Sequence, residues 1–70
     1  MSPTPKQMGR RLQALRKQKG WSRQTLADAC KPHVSREYVR KLEAGLQDPT
    51  VGILQRLAKA LGVAVTELLT

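Results

Sequence analysis

Three hydroxyl residues and three glycines punctuate this 70-residue chain so closely that no segment between them is long enough for more than a short helix. Thr4, Ser22 and Ser35 each stand immediately before an apolar-periodic stretch, and Gly20, Gly45 and Gly62 each follow one. A hydroxyl in the first position accepts a hydrogen bond from a free N–H of the first turn, and a glycine in the second takes the left-handed conformation that ends a helix. The chain is therefore expected to be a series of short helices.

Local sequence fills in each one. Thr4-Pro5-Lys6-Gln7 places a cap, a proline whose missing N–H costs nothing, and a glutamine that completes a capping box. Met8, Leu12 and Leu15 then form one apolar stripe. Trp21 and Leu26 flank the Ser22 cap at hydrophobic-staple spacing, with Leu26, Ala27 and Cys30 as the inner face of the second helix. Lys31-Pro32-His33 breaks the pattern. Val34 and Val39 repeat the staple around Ser35, and the third helix should run to about Ala44.

Asp48-Pro49-Thr50 starts a fourth helix with Ile53, Leu54, Leu57, Ala58 and Leu61 inward, and Gly52 weakens its first turn by up to roughly 1 kcal/mol relative to alanine. Val63 to Leu69 reads as a final helical turn. With Trp21 and Tyr38 as the only aromatics, the core must be aliphatic. The expected fold is all-α, a compact bundle of about five short helices forming one domain over residues 1–70, with residues 1–4 as a flexible arm.

Charge is distributed unevenly. Residues 1–41 carry eleven lysines and arginines against Asp28 and Glu37, a balance of +9; residues 42–70 carry Arg56 and Lys59 against Glu43, Asp48 and Glu67, a balance of −1. Such asymmetry is the footprint of a polyanion partner. A membrane surface would call for one long amphipathic helix, not several capped ones. No stretch approaches 18 apolar residues, and a single cysteine fits a reducing compartment, so a cytoplasmic protein is expected. Cys30 and His33 alone cannot complete a metal site. With no phosphate-binding glycine loop, paired carboxylates or nucleophile–histidine pair, neither an enzyme nor a cofactor is expected.

Ser22 to Gly45 has the outline of a helix-turn-helix. On the third helix, Arg36, Glu37, Arg40 and Lys41 share one face and Val39 and Leu42 the other. Arginine or lysine donates to guanine O6 and N7, whereas glutamate accepts from the cytosine amino group. Arg36 and Glu37 lie at the end that enters the groove first in this motif; Arg40 and Lys41, one turn later, are within reach of bases or phosphates, Lys41 suiting bases better and Arg40 phosphate. The same four side chains would also suit a solvated face on which Glu37 and Lys41 pair at i, i+4, for about 0.2–0.5 kcal/mol.

An ordered series of motifs extends this picture: Gly9-x-x-Leu12-x-x-Leu15-Arg16, Gly20-Trp21-Ser22-Arg23-x-x-Leu26-Ala27, Val34-Ser35-Arg36-x-Tyr38-Val39-x-x-Leu42-Glu43-x-Gly45, Pro49-Thr50, and Leu57-Ala58-Lys59-Ala60-Leu61-Gly62-Val63-x-x-x-Glu67-Leu68-Leu69. Over residues 9–69 it resembles the phage repressor/Cro-type, or XRE-type, helix-turn-helix domain. The resemblance implies a lambda repressor-like bundle that binds double-stranded DNA and regulates transcription, as a repressor or autoregulator on an inverted-repeat operator.

It also implies specific roles: Ser22 and Arg23 at phosphate, Ser35, Arg36, Glu37 and Lys41 near bases, and Arg16 paired with Glu43. Pairing of two copies through the C-terminal segment would use Val65, Leu68 and Leu69, unless these residues only close the domain core. The alternative is a helix-turn-helix module for RNA or a protein partner. Three departures stand out: Arg23 replaces the usual glutamine, the turn at Cys30-Lys31-Pro32-His33 is about two residues longer, and the loop Gly45-Leu46-Gln47-Asp48 lacks basic residues.

Overall fold

The computed structural model describes residues 3–70. Four α-helices follow one another, α1 (Pro5–Gln18), α2 (Arg23–Ala29), α3 (Arg36–Glu43) and α4 (Val51–Leu61), and a short 3-10 turn (Val65–Leu68) closes the chain. Each α-helix begins at a hydroxyl cap. Thr4, Ser22, Ser35 and Thr50 accept from the backbone N–H groups of Gln7, Thr25, Tyr38 and Ile53 at 3.0–3.1 Å. Gln7 returns the bond to the Thr4 N–H at 2.9 Å, so the capping box is complete. Thr4 is thus part of the helix start; of the rest of the expected arm, Pro3 is half-buried and Met1 and Ser2 lie outside the described residues.

The stops of α1, α3 and α4 follow one pattern, whereas α2 ends at Cys30 in extended backbone. After α3 the Gly45 N–H reaches the Leu42 carbonyl at 3.2 Å and the Leu46 N–H reaches that of Lys41 at 2.9 Å, with Gly45 at φ +75. The same pair of bonds closes α1 at Gly20 and Trp21, and α4 at Gly62 and Val63. Of the five helices expected, the last proves to be a 3-10 turn. Only four residues remain between Ala64 and Leu69, too few to repay α-helix nucleation. The Arg11 Nε instead ties that turn to α1, donating to the Glu67 carbonyl at 2.8 Å.

Leu12, Leu15, Leu26, Val39, Leu42, Leu57, Leu61 and Leu68 form the aliphatic core with Ala27, Ala58 and Cys30, while Trp21 and Tyr38 pack half-buried against it. The lengthened turn is closed by the Val34 N–H on the Ala27 carbonyl at 3.2 Å, and its Lys31–Pro32 peptide is cis. Leu68 is 2% exposed and belongs to this core. The expectation that it contributes to pairing of two copies is therefore corrected: closing the domain has already used its surface.

α1 and α3 touch more closely than side chains normally allow. A Cβ on Gly9 would stand 2.4 Å from the Leu42 carbonyl oxygen and 2.5 Å from that of Glu43. Gly9→Ala is expected to destabilise the domain by roughly 1–3 kcal/mol through overpacking, although alanine is the better helix former by about 1 kcal/mol. Thermal unfolding followed by circular dichroism tests this; a raised Tm would mean that the two helices have room to separate.

Candidate nucleic-acid interface

A buried carboxylate on α3 orients the three helices that meet here. Glu43 accepts from Arg16 of α1 twice, from Nε to Oε2 at 2.6 Å and from Nη2 to Oε1 at 3.1 Å. Arg16 spends its remaining nitrogen on the Trp21 carbonyl at 2.7 Å, so it binds both α3 and the entry to α2. The two side chains are 8% and 2% exposed. Lys19 completes the corner, its ammonium 4.9 Å from the centroid of the Trp21 ring. No buried side-chain nitrogen or oxygen among the described residues lacks a partner.

Arg23 joins this pair, a contact that sequence reasoning missed. Its Nε donates to Glu43 Oε1 at 2.9 Å while its side chain stays 39% exposed. Glu43 therefore links α1, α2 and α3, and Arg23 is anchored at Nε with its outer nitrogens toward solvent. The signal was present in the spare acceptor capacity of a carboxylate facing the start of α2, but it required knowing how α2 and α3 cross.

Beside this anchor, Ser22, Arg23, Arg36, Glu37 and Arg40 line one groove of about 470 Å³. The first turn of α2 and the polar face of α3 are thus brought together. Ser35, Arg36, Glu37, Arg40 and Lys41 are all exposed. Ser35 and Lys41 stand outside the groove lining, and the Ser35 and Ser22 hydroxyls are already engaged as caps.

The ion pair on this face differs from the one expected. Glu37 pairs with Arg40, not with Lys41: Arg40 Nε donates to Oε1 at 2.7 Å and Nη2 to Oε2 at 2.6 Å. A guanidinium fork matches a carboxylate edge in a way that a lysine ammonium does not, which decides between the i, i+3 and i, i+4 neighbours. The hydrogen bonds from Arg40 hold the Glu37 carboxyl below the ordinary glutamate range, against a smaller opposing effect of desolvation. Arg40 is correspondingly raised by Glu37.

Two measurements follow from these contacts. Arg16→Met or Glu43→Leu alone leaves a buried charge and is expected to cost about 3–5 kcal/mol in urea denaturation, whereas the double variant should lie much closer to the parent. Glu43→Leu should be the worse single change, because Arg23 still serves Glu43 when Arg16 is gone. Simple additivity would show that the two are not coupled. For Glu37, its depressed pKa means that the pair with Arg40 is intact above the ordinary glutamate range and is lost only as pH falls through the lowered value. Carboxyl NMR titration should show that lowered midpoint, with Arg40→Gln moving it back up.

A family model described as helix-turn-helix matches residues 12–68. The competence pilus inhibition repressor of Acinetobacter baylyi is 39% identical over 61 residues, which cover 87% of this chain; the chain spans only 54% of that repressor's length. Among solved structures, the restriction-modification controller protein C.AhdI from Aeromonas hydrophila superposes with a TM-score of 0.86 at 34% identity, over 91% of this chain and 94% of that one. The BldD DNA-binding domain from S. venezulae gives 0.85 at 34% identity, over 96% and 97%. A hypothetical transcription factor, NHTF, from Neisseria gives 0.88 at 29%, over 97% and 76%.

Proposed function

The chain belongs to the helix-turn-helix family, and from that premise we propose that it is a sequence-specific double-stranded DNA-binding regulator of transcription, acting as a repressor or autoregulator through α3 in the major groove. The observation that carries this reading is the shared groove: the first turn of α2 and the charged face of α3 present Ser22, Arg23, Arg36, Glu37 and Arg40 side by side. The relatives support it, since one is named a repressor, one a restriction-modification controller and one a DNA-binding domain. Half-buried Trp21 and Tyr38 offer no stacking platform for single-stranded RNA.

Roles then follow from chemistry. Arg36, exposed and with no ion pair among the described residues, donates to guanine O6 and N7. Glu37 accepts from a cytosine amino group, held in place by Arg40, whose remaining nitrogen faces phosphate. Lys41, one turn further along, and Ser35, through its hydroxyl proton, complete the reading face. Ser22 and Arg23 hold phosphate at the start of α2, and the Glu43 bond keeps the Arg23 head in register with α3.

One α3 covers only a few base pairs, so two copies act on an inverted repeat with half-sites about 34–36 Å apart. Leu69, 39% exposed, and half-buried Val65 remain for that contact once Leu68 is assigned to the core. No helix among the described residues is long and apolar enough to cross a membrane, in keeping with a place beside DNA in the cytoplasm.

Selection of bound sites from random duplexes, with single-stranded RNA as competitor, tests the proposal. The parent should select a short inverted repeat. Arg36→Ala should relax one position per half-site, with a loss of about 1–3 kcal/mol, whereas Arg23→Ala should weaken all sites alike and reduce the salt slope by about 1. Binding without sequence preference, or preference for RNA, would overturn the assignment.

A further inference from the structure

A second cationic surface lies away from the α3 face. Lys31 of the lengthened turn and Arg56 and Lys59 of α4 line a groove of about 610 Å³, alongside the small residues Ala29, Gly52 and Ala60. Arg56 and Lys59 are the only lysine or arginine residues after position 41, and both face this groove. None of the three cations forms an ion pair among the described residues. Arg56 is half-buried, whereas Lys31 and Lys59 are exposed.

Gly52 supplies an independent observation. Gly9 and Gly45 are required by close backbone contacts, whereas a Cβ on Gly52 would meet nothing nearer than the Thr50 hydroxyl at 3.8 Å. Its φ is not left-handed. The fold therefore gives no reason for a residue that weakens the first turn of α4. A side chain missing beside unpaired cations leaves room for another chain to approach the α4 backbone.

We propose that this groove docks an acidic helical segment of a partner protein, its carboxylates on Arg56, Lys59 and Lys31 and its backbone against Gly52, Ala29 and Ala60. Arg56 and Lys59 are one turn apart on α4, the spacing at which glutamates recur on a facing helix. The recessed position of Arg56 suits a carboxylate carried on a side-chain stem better than phosphates on a convex duplex. The length of α2, about 10 Å of helix, runs from Ser22 and Arg23 at its start to Ala29 in this groove at its end. Partner and DNA therefore occupy opposite ends of α2.

A labelled alanine-based helical peptide with glutamates at i, i+3 and i+4 serves as the probe, titrated by fluorescence anisotropy against the whole chain and in parallel with duplex DNA. Arg56→Gln with Lys59→Gln should weaken the peptide roughly tenfold (about 1.4 kcal/mol) and leave duplex affinity and salt slope unchanged. Lys6→Gln with Arg10→Gln, which removes the same charge from exposed positions on α1, should leave peptide binding unchanged. Gly52→Ala should raise Tm by about 4–8 °C, as a better helix former does, and yet weaken the peptide. Arg56→Glu with Lys59→Glu should recover binding to the peptide with lysines in place of glutamates. The proposal falls if the α1 variant loses as much peptide affinity as the α4 variant. It falls equally if the α4 variant loses duplex affinity with a shallower salt slope, which would assign the groove to the DNA backbone.

Discussion

Glu43 keeps a carboxylate 2% exposed at the end of α3, and two guanidinium groups from two other helices close on it. Desolvating such a charge is tolerable only with its partners in place, so the penalty for any other packing of α1, α2 and α3 is high. The position of α3 against the start of α2 follows from this. Arg16 bonds Glu43 and the Trp21 carbonyl together, which fixes where α2 begins relative to where α3 ends. The charged face of α3 is held by a buried electrostatic joint as much as by aliphatic packing, and Gly9 lets α1 come close enough to form it.

The hydroxyl caps and glycine stops made the element order legible in sequence because capping is local chemistry. Thr4, Ser22, Ser35 and Thr50 each satisfy an N–H within three residues, with no need of the rest of the molecule. The pairing of Arg16 with Glu43 came from resemblance, and the residues alone did not dictate it. What stayed hidden depends on relations between helices or on side-chain shape. Arg23 reaches Glu43 only through the crossing of α2 and α3, and Glu37 prefers Arg40 to Lys41 because the guanidinium fork fits both oxygens. The final segment became a 3-10 turn, and Leu68 went to the core, because the packing beneath decides both.

The sharp charge asymmetry of the sequence also gains a structural meaning. Nearly all the positive excess belongs to α1, α2, α3 and their connections, while the exceptions, Arg56 and Lys59, gather in one groove. Two cationic surfaces separated by the length of α2 give a small domain two places to meet anions without competition between them.

Trp21 is the sole tryptophan of the chain, and it sits at the corner where Arg16 grips the backbone and Lys19 covers the ring. Its indole therefore senses any loosening of the joint between the first three helices. The intrinsic fluorescence of the unlabelled protein reports directly on whether the first three helices are assembled around Glu43.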